Sequence, residues 1–397
     1  MSSNEKKRPF NMKVLFELFL ISTRLGLTSF GGPVAHLGYF HNEYIQRRKW
    51  MSEKDYADLV ALCQFLPGPA SSQVGIGIGM MRGGLIGGFI SFLGFTFPSV
   101  LILIFFAMSV QAFNLGDAGF IHGLKIVAVV VVAHAILGMG KKLAPDKERA
   151  TIAIGSLVAI LMWQTAWAQV SVILLSGIIG YLLYKNHQEE TESHFSFPIN
   201  KKIGAVSLTI FFALLIFLPF LRDVFPNMWV SMFDSFYRAG SLVFGGGHVV
   251  LPMLEREVVP AGWISEDAFL AGYGAAQAVP GPLFTFASYL GAVISGWSGA
   301  LVATVAIFLP AFLLIVGTLP FWNELRKNKH VRGALYGVNA AVVGILIAAF
   351  YHPIFTTSIY QPLDFAFASV LFAMLVYWKL PAWIIVIVGI VGGFLLF

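Results

Sequence analysis

Cysteine is nearly missing from this 397-residue chain: Cys63 stands alone. A single thiol excludes a disulfide framework and any metal site built from several cysteines, and Cys63 is expected to pack as a small apolar residue. Charge is scarce as well. Asp, Glu, Lys and Arg make up 12% of the chain, against ~25% in soluble proteins, which excludes an ordinary soluble enzyme and a disordered polymer alike. No His/Cys/Asp/Glu group has metal-ligand spacing, no HExxH occurs, and no Walker phosphate loop is present. Gly75-Ile-Gly77-Ile-Gly79 follows no soluble strand and fails the dinucleotide pattern. ATP-driven pumping by this chain alone is thereby excluded, and neither catalysis nor a resident cofactor or metal is expected. The first eleven residues are polar and basic and lack the order of a cleaved signal.

What is abundant is apolar surface. Hydrophobic residues reach 57% and mean hydropathy is +0.79, spread along the whole chain. A soluble domain on one anchor is therefore excluded. At ~20 residues per crossing the length allows at most about sixteen spans. The expected fold class is an all-α polytopic membrane protein. Glycine (40) and proline (18) are frequent inside apolar stretches, as suits membrane helices with close packing or deliberate breaks. Apolar segments are read at 13–29, 56–66, 70–95, 97–113, 121–140, 150–164 and 168–184. A polar linker follows at Lys185–Lys202, then a segment at 203–221. A second series runs 229–244, 268–279, 283–298, 300–319, 333–350, 363–378 and 380–397.

The second series repeats the first. Arg24, Gly26, Phe30, Gly31 and Gly32 match Arg238, Gly240, Phe244, Gly245 and Gly246 at an offset of 214, and Glu43 matches Glu257. After a one-residue gap, Trp50, Ser52 and Glu53 match Trp263, Ser265 and Glu266. Gln64 with Pro67-Gly68-Pro69 matches Gln277 with Pro280-Gly281-Pro282, and Pro98 matches Pro310. Duplicated units of this kind mark secondary transporter folds. The chain divides into a first repeat at 1–185, a linker with one connecting helix at 186–228, and a second repeat at 229–397.

The formal net charge is +6, and the basic residues sit in loops, which reads as a topology signal rather than a nucleic-acid site. Loop charge swaps sign between the repeats. Gln46-Arg-Arg-Lys-Trp50 is basic, and Glu255, Glu257, Glu266 and Asp267 make its counterpart acidic. Asn114–Gly119 has no basic residue where Arg326–Arg332 has four. Lys141–Arg149 is basic where His352–Asp364 has no Lys or Arg. If basic loops face the cytoplasm, matching loops lie on opposite sides and the repeats are inverted. The N-terminus (Lys6, Lys7, Arg8) is then inside and Phe397 outside.

Arg24 and Arg238 each lie on an apolar segment, six residues before Phe-Gly-Gly. Burying a guanidinium in the membrane core costs at least ~2.5 kcal/mol without compensation. Its planar fork suits an oxyanion, and an inverted pair would meet near one pseudo-two-fold axis. The competing reading is an arginine snorkelling to the interface, or paired to Glu43 or Glu257. Phe30-Gly31-Gly32-Pro33 and Phe244-Gly245-Gly246-Gly247 look like helix breaks whose following half-helices aim free N–H groups at an anion; close packing by small residues is the alternative. Pro67-Gly68-Pro69 and Pro280-Gly281-Pro282 cannot lie inside a regular helix. Each reads as the tip of a re-entrant hairpin, because only about twelve residues precede it, with a simple kink as the alternative. Ser71, Ser72, Gln73 and Thr285, with Gln64 and Gln277 one turn upstream, could hydrogen-bond an oxyanion. Phe284 and Phe286 make the second repeat more aromatic here. Glu43 and Glu257 are either proton carriers or arginine partners. His36 and His248 follow the glycine motifs at unmatched positions, so a shared proton or metal role for them is doubtful.

At Phe30-Gly-Gly-Pro-Val-Ala-His36 with Gln64-Phe-Leu-Pro-Gly-Pro-Ala70, and at Phe244-Gly-Gly-Gly-His-Val-Val250 with Gln277-Ala-Val-Pro-Gly-Pro282, the chain resembles the chromate ion transporter family in its long, two-domain form. The resemblance covers nearly the full chain. It implies a carrier of the inner or plasma membrane that exports chromate, driven by membrane potential or a proton gradient, with homologous halves of opposite orientation. Sulfate is also a tetrahedral dianion and stays open as the substrate; an anion channel is a second class and a lipid-acting membrane enzyme a third. The expected partners are the oxyanion, the lipid bilayer and, if coupled, protons, with a homodimer left open and no nucleic acid. Rocking of one repeat against the other would alternate access.

Overall fold

The computed structural model describes residues 12–29, 32–112, 119–163, 166–184, 200–244, 249–322 and 329–397. Gly31, Gly245, Gly246 and His248 lie outside them. The described residues are predominantly helical, with no strand. In the first half come α1 (Met12–Thr28), α2 (Gly32–Phe40, continued by a π-helical turn His41–Arg47), α3 (Glu53–Phe65), α4 (Ala70–Ala112), α5 (Gly119–Leu143), α6 (Lys147–Met162) and α7 (Ala166–Tyr184). The connecting helix is α8 (Lys201–Val224). The second half has α9 (Met228–Leu242), α10 (Val250–Val258), α11 (Glu266–Ala276), α12 (Phe286–Thr318), α13 (Lys329–Ala349), α14 (Pro362–Val376) and α15 (Ala382–Leu396). Ser52 and Ser265 cap α3 and α11 at matching places.

Four helical stretches are long and apolar enough to cross a membrane: Ala70–Val110, Gly119–Lys141, Lys201–Val224 and Leu283–Phe321. Large apolar side chains such as Phe212, Ile216, Phe217 and Phe220 on α8 are exposed, as a lipid-facing surface requires. The chain is a multi-pass α-helical membrane protein.

Two of those four stretches double back. Helix α4 leaves helical geometry at Gly83 and Gly84, the latter at φ +63°. Its arms, 70–82 and 85–112, then run antiparallel: Ser91 Oγ donates to the Gly75 carbonyl at 2.9 Å. Helix α12 turns the same way at Ser295 and Gly296 (φ +61°), and Ser288 and Thr304 hydroxyls meet at 2.7 Å across its arms. A left-handed residue costs little only for glycine. The sequence segmentation at 95–97, beside Pro98, misplaced the first of these turns. Pro98 stays inside the longer arm, and the glycine pair, embedded in an unbroken apolar run, carries the reversal.

Helix α3 packs antiparallel on arm 70–82, with Leu59 against Gly77. Each of these two pieces is roughly 20 Å long at 1.5 Å per residue, too short for a ~30 Å hydrocarbon core, and Pro67-Gly68-Pro69 is their tip. Helix α1 runs parallel to arm 85–112: Leu15 lies on Gly83, Ser22 Oγ is 3.1 Å from Ser91 Oγ, and Gly26 abuts the Phe95 carbonyl. The end of α1 at Ser29 therefore sits at mid-length of an arm about 42 Å long. The second half repeats this arrangement, with Gly240 against the Ile307 carbonyl.

The longer arms of α4 and α12 cross antiparallel, Phe92 meeting Phe308 (5.1 Å between ring centroids) and Phe105 meeting Trp297 (5.7 Å). Outer helices are exchanged between halves. Helix α5 packs on α14 and α15, while its counterpart α13 packs on α6 and α7. The approach is close because small residues face each other, Gly123 with Gly389 and Gly337 with Ser176.

Candidate functional site

Each Pro-Gly-Pro turn is tied to the broken helix of the other half. Gly68 N–H donates to the Val243 carbonyl at 2.7 Å, and Gly281 N–H donates to the Ser29 carbonyl at 2.9 Å. Both glycines hold φ near +100° (+103° and +102°), a region for glycine alone. Gly68 faces Ala311 and Gly240, and Gly281 faces Ser99 and Phe95. The tips of both hairpins and the ends of α1 and α9 thus meet at mid-depth of the long arms.

Polarity at this meeting point is one-sided. On the first-half side lie Ser29, His36, Ser71, Ser72, Gln73, Thr96 and Ser99, all buried. His36 Nδ1 is 3.2 Å from Ser71 Oγ, and its ring stands edge-on to Phe95 at 5.4 Å. Gln73 donates Nε2 to the Pro67 carbonyl at 2.9 Å, bracing the turn. Ser99 Oγ donates to the Thr96 carbonyl at 2.9 Å. Among the described residues, Ser29 Oγ, Ser72 Oγ, Thr96 Oγ1, Gln73 Oε1 and His36 Nε2 are buried with no hydrogen-bond partner of ordinary geometry. An unmet buried polar group costs about 1–3 kcal/mol, so a bound polar ligand or water that met these groups would be stabilised here. The N-terminus of arm 70–82 opens here. Gln73 N–H already bonds Pro69 O, and the amides of Ala70–Ser72 lie outside the helical ladder, where the dipole favours an anion.

In the second half the same positions are apolar. At the repeat offsets, Ser29 corresponds to Val243, His36 to Val250, Ser71 to Phe284, Gln73 to Phe286, Thr96 to Phe308 and Ser99 to Ala311, every one buried. Thr285, opposite Ser72, spends its hydroxyl on the Pro282 carbonyl at 2.8 Å. Phe286 packs on Phe269, Tyr273 and Tyr289, closing the end of that arm with rings. Gln277 lies beside the Tyr273 hydroxyl, and its Nε2 is the one buried group on this side of the tip with no hydrogen-bond partner of ordinary geometry among the described residues; Gln64 is exposed.

The two intramembrane arginines are engaged by carboxylates, as one of the sequence readings had it. Arg24 pairs with the buried Glu43, which also takes Arg48 Nε at 2.7 Å and Arg47 at 3.3 Å. Arg238 bridges Asp234 at 3.0 Å and Glu257 at 2.8 Å, and Arg222 lies 3.4 Å and 3.5 Å from the same two carboxylates. Each pair ties the helix before a break to the helix after it. Helix α1 is held to the π-turn, and α9 to α10. Among the described residues no group of three or more His, Cys, Asp or Glu could hold a metal ion.

Sequence reasoning named Ser71, Ser72 and Gln73 as possible oxyanion donors and His36 only as a doubtful proton-coupling candidate, and it missed Ser29, Thr96 and Ser99. The signal was available: each is polar where its repeat partner is apolar, next to a matched glycine or proline motif.

A family model described as "Chromate transporter" matches this chain twice, over residues 16–181 and 230–394. The chain belongs to the chromate transporter family. Its family relatives include an uncharacterised transporter of Methanocaldococcus jannaschii, 26% identical over 98% of this chain and 92% of that protein. The chromate transport protein of Pseudomonas aeruginosa is 29% identical over 85% of this chain and 80% of its own length. A probable chromate transport protein of Synechococcus elongatus is 28% identical over 86% and 84%. No solved structure matches this chain. As a family member the protein is an ion transporter.

Proposed function

We propose that this protein exports a chromate-like tetrahedral dianion across the cell membrane, and that the dianion binds at the polar meeting point of the first half. The observation that carries this reading is the set of buried groups with no described partner at Ser29 Oγ, Ser72 Oγ, Thr96 Oγ1 and His36 Nε2 beside a helix N-terminus. Hydroxyls, an imidazole N–H and backbone amides supply neutral donors that replace the dianion's hydration. Arg24 and Arg238 act as ties that position the breaks, adding positive potential from a distance. Glu43 and Glu257 are arginine partners in this reading, not proton carriers.

The halves are proposed to be inverted, which the antiparallel crossing of α4 and α12 supports. Following the helices, the basic stretches at 46–49 and 141–149 and the start of α13 at Lys329 fall on one face, taken as cytoplasmic with the N-terminus. Because α5 and α13 are exchanged, the bodies that rock are the central group of broken helices against the two side bundles, not one half against the other. Expelling a dianion from a negative interior releases about 4.6 kcal/mol at 100 mV, so the potential alone drives export and no proton need be coupled.

The test is flux of radiolabelled chromate and sulfate in proteoliposomes, first under an imposed potential and then under an imposed pH gradient. Saturable, counterflow-competent flux driven by potential is expected. Flux that never saturates and shows no counterflow would assign the protein to the channels instead.

A further inference from the structure

The two arginine–carboxylate ties are equivalent, but what surrounds them is not. On the first-half side one network holds Glu17, Arg24, Glu43, Arg47, Arg48 and Arg82: four guanidiniums against two carboxylates. On the second-half side Arg222, Asp234, Arg238 and Glu257 balance two against two. The excess comes from residues without counterparts. Arg82, just before the Gly83–Gly84 turn, matches Ile294 before Ser295–Gly296, and the stretch Val259–Gly262 that answers Arg47 and Arg48 holds no basic residue.

The surplus charge is accessible and held in place. The Arg24 and Arg47 side chains are 46% and 63% exposed. Trp50 lies flat on Tyr44, with ring centroids 5.2 Å apart, and carries the guanidiniums of Arg82 at 4.6 Å and Arg48 at 5.5 Å from its centroid. Such stacking fixes an arginine without neutralising it. Arg82 reaches Glu17 only at 3.8 Å, and its Nε is buried with no partner among the described residues. Nearby, Glu53 is occupied by His41 at 2.6 Å, and Lys49 adds a further exposed cation. Arm 70–82 runs from Arg82 at the face straight down to Ser71 and Ser72 at the polar meeting point.

We propose that Arg24, Arg47, Arg48 and Arg82 form a capture site for the dianion on the face that bears the basic loops, and that the balanced cluster on the other face has no such role. The proposal rests on the transport reading above and deepens it, because it says from which side the carrier loads. A local positive field raises anion concentration at a mouth and speeds entry, and salt screens it.

The test compares uptake by inside-out vesicles, which samples the basic face, with uptake by right-side-out vesicles. Arg47→Gln with Arg82→Gln is expected to raise the half-saturation concentration for chromate about tenfold from the basic face. The maximal rate and the half-saturation from the other face should stay unchanged. Raising ionic strength should weaken the wild type more than the variant. Ala261→Arg, at an exposed position of the second half, should lower half-saturation from the other face alone. An unchanged half-saturation in the double variant, or an equal rise from both faces, overturns the proposal. A lipid phosphate would satisfy the same guanidiniums, so the comparison is repeated in phosphatidylcholine liposomes with and without phosphatidylglycerol. A defect confined to the anionic vesicles assigns the cluster to lipid and also overturns it. A wild-type protein that moves neither chromate nor sulfate overturns the transport reading, and the capture site with it.

Discussion

The two Pro-Gly-Pro turns share a backbone and differ in everything attached to it. Gly68 and Gly281 have the same dihedral region, each donates to the opposite half, and each is followed by an arm that ends in a glycine reversal at φ near +60° (+63° and +61°). Around the first are Ser29, His36, Ser72, Gln73 and Thr96, and around the second Val243, Val250, Phe286 and Phe308. Duplication preserved the framework that makes breaks possible at membrane depth. Buried hydroxyls without a described partner (Ser29, Ser72, Thr96) gather around one copy, while aromatic rings pack around the other.

That comparison can be broken most sharply by deleting the unpartnered hydroxyls. Ser72→Ala with Thr96→Val is expected to cut chromate flux about 100-fold, each lost hydrogen bond to a charged ligand counting for ~1.5 kcal/mol or more. Because neither hydroxyl has a partner among the described residues, thermal stability in detergent should stay level or rise by ~1 kcal/mol. Thr285→Ala, at the matching position, should change flux less than about twofold, since its hydroxyl serves only the Pro282 carbonyl. Equal losses from the two halves would end the one-sided reading.

The next contrast concerns the ties. Arg238→Gln leaves the fully buried Asp234 and its neighbour Glu257 with Arg222 as the remaining guanidinium, at 3.4 and 3.5 Å, and a loss of roughly 3 kcal/mol in unfolding free energy is expected. Arg24→Gln should cost about 1 kcal/mol or less, because Arg24 is half exposed and Glu43 retains Arg47 and Arg48. Thermal unfolding of the two purified variants decides it, and a larger loss for Arg24→Gln would reverse the assignment. The smallest difference lies between the turn glycines. Gly68→Ala and Gly281→Ala both incur ~1–3 kcal/mol of backbone strain. Gly281→Ala should be worse by ~1 kcal/mol, since its new Cβ would lie 2.8 Å from Ser99 Oγ while that of Gly68 meets nothing nearer than 3.5 Å. Stability of the purified variants, ranked side by side, checks the order.

Much of the framework was legible in the sequence because breaks need rare residues. Pro-Gly-Pro has few other uses in an apolar run, and its recurrence in one register with Arg and Phe-Gly-Gly exposed the repeat. The helix reversals at Gly83–Gly84 and Ser295–Gly296 were not legible. One glycine pair among many, flanked by Met, Arg, Leu and Ile, looks like close packing, and only the left-handed φ distinguishes a turn. The groups proposed to bind the dianion were half legible. His36 and Ser71–Gln73 adjoin the motifs, whereas Ser29, Thr96 and Ser99 are small residues whose meaning depends on partners brought from α2 and the other half. The arginines drew notice through their cost in lipid, but sequence could not say that carboxylates had already met it.

The exchange of α5 and α13 bears on how the chain is made. When the first half has been inserted, the small-residue faces of α5 and α7 await α15 and α13, whose residues are synthesised more than 140 positions later. Neither half can therefore complete its packing alone. The halves reach their final structure together, so during synthesis the first half must remain in the bilayer with those glycine-lined faces uncovered.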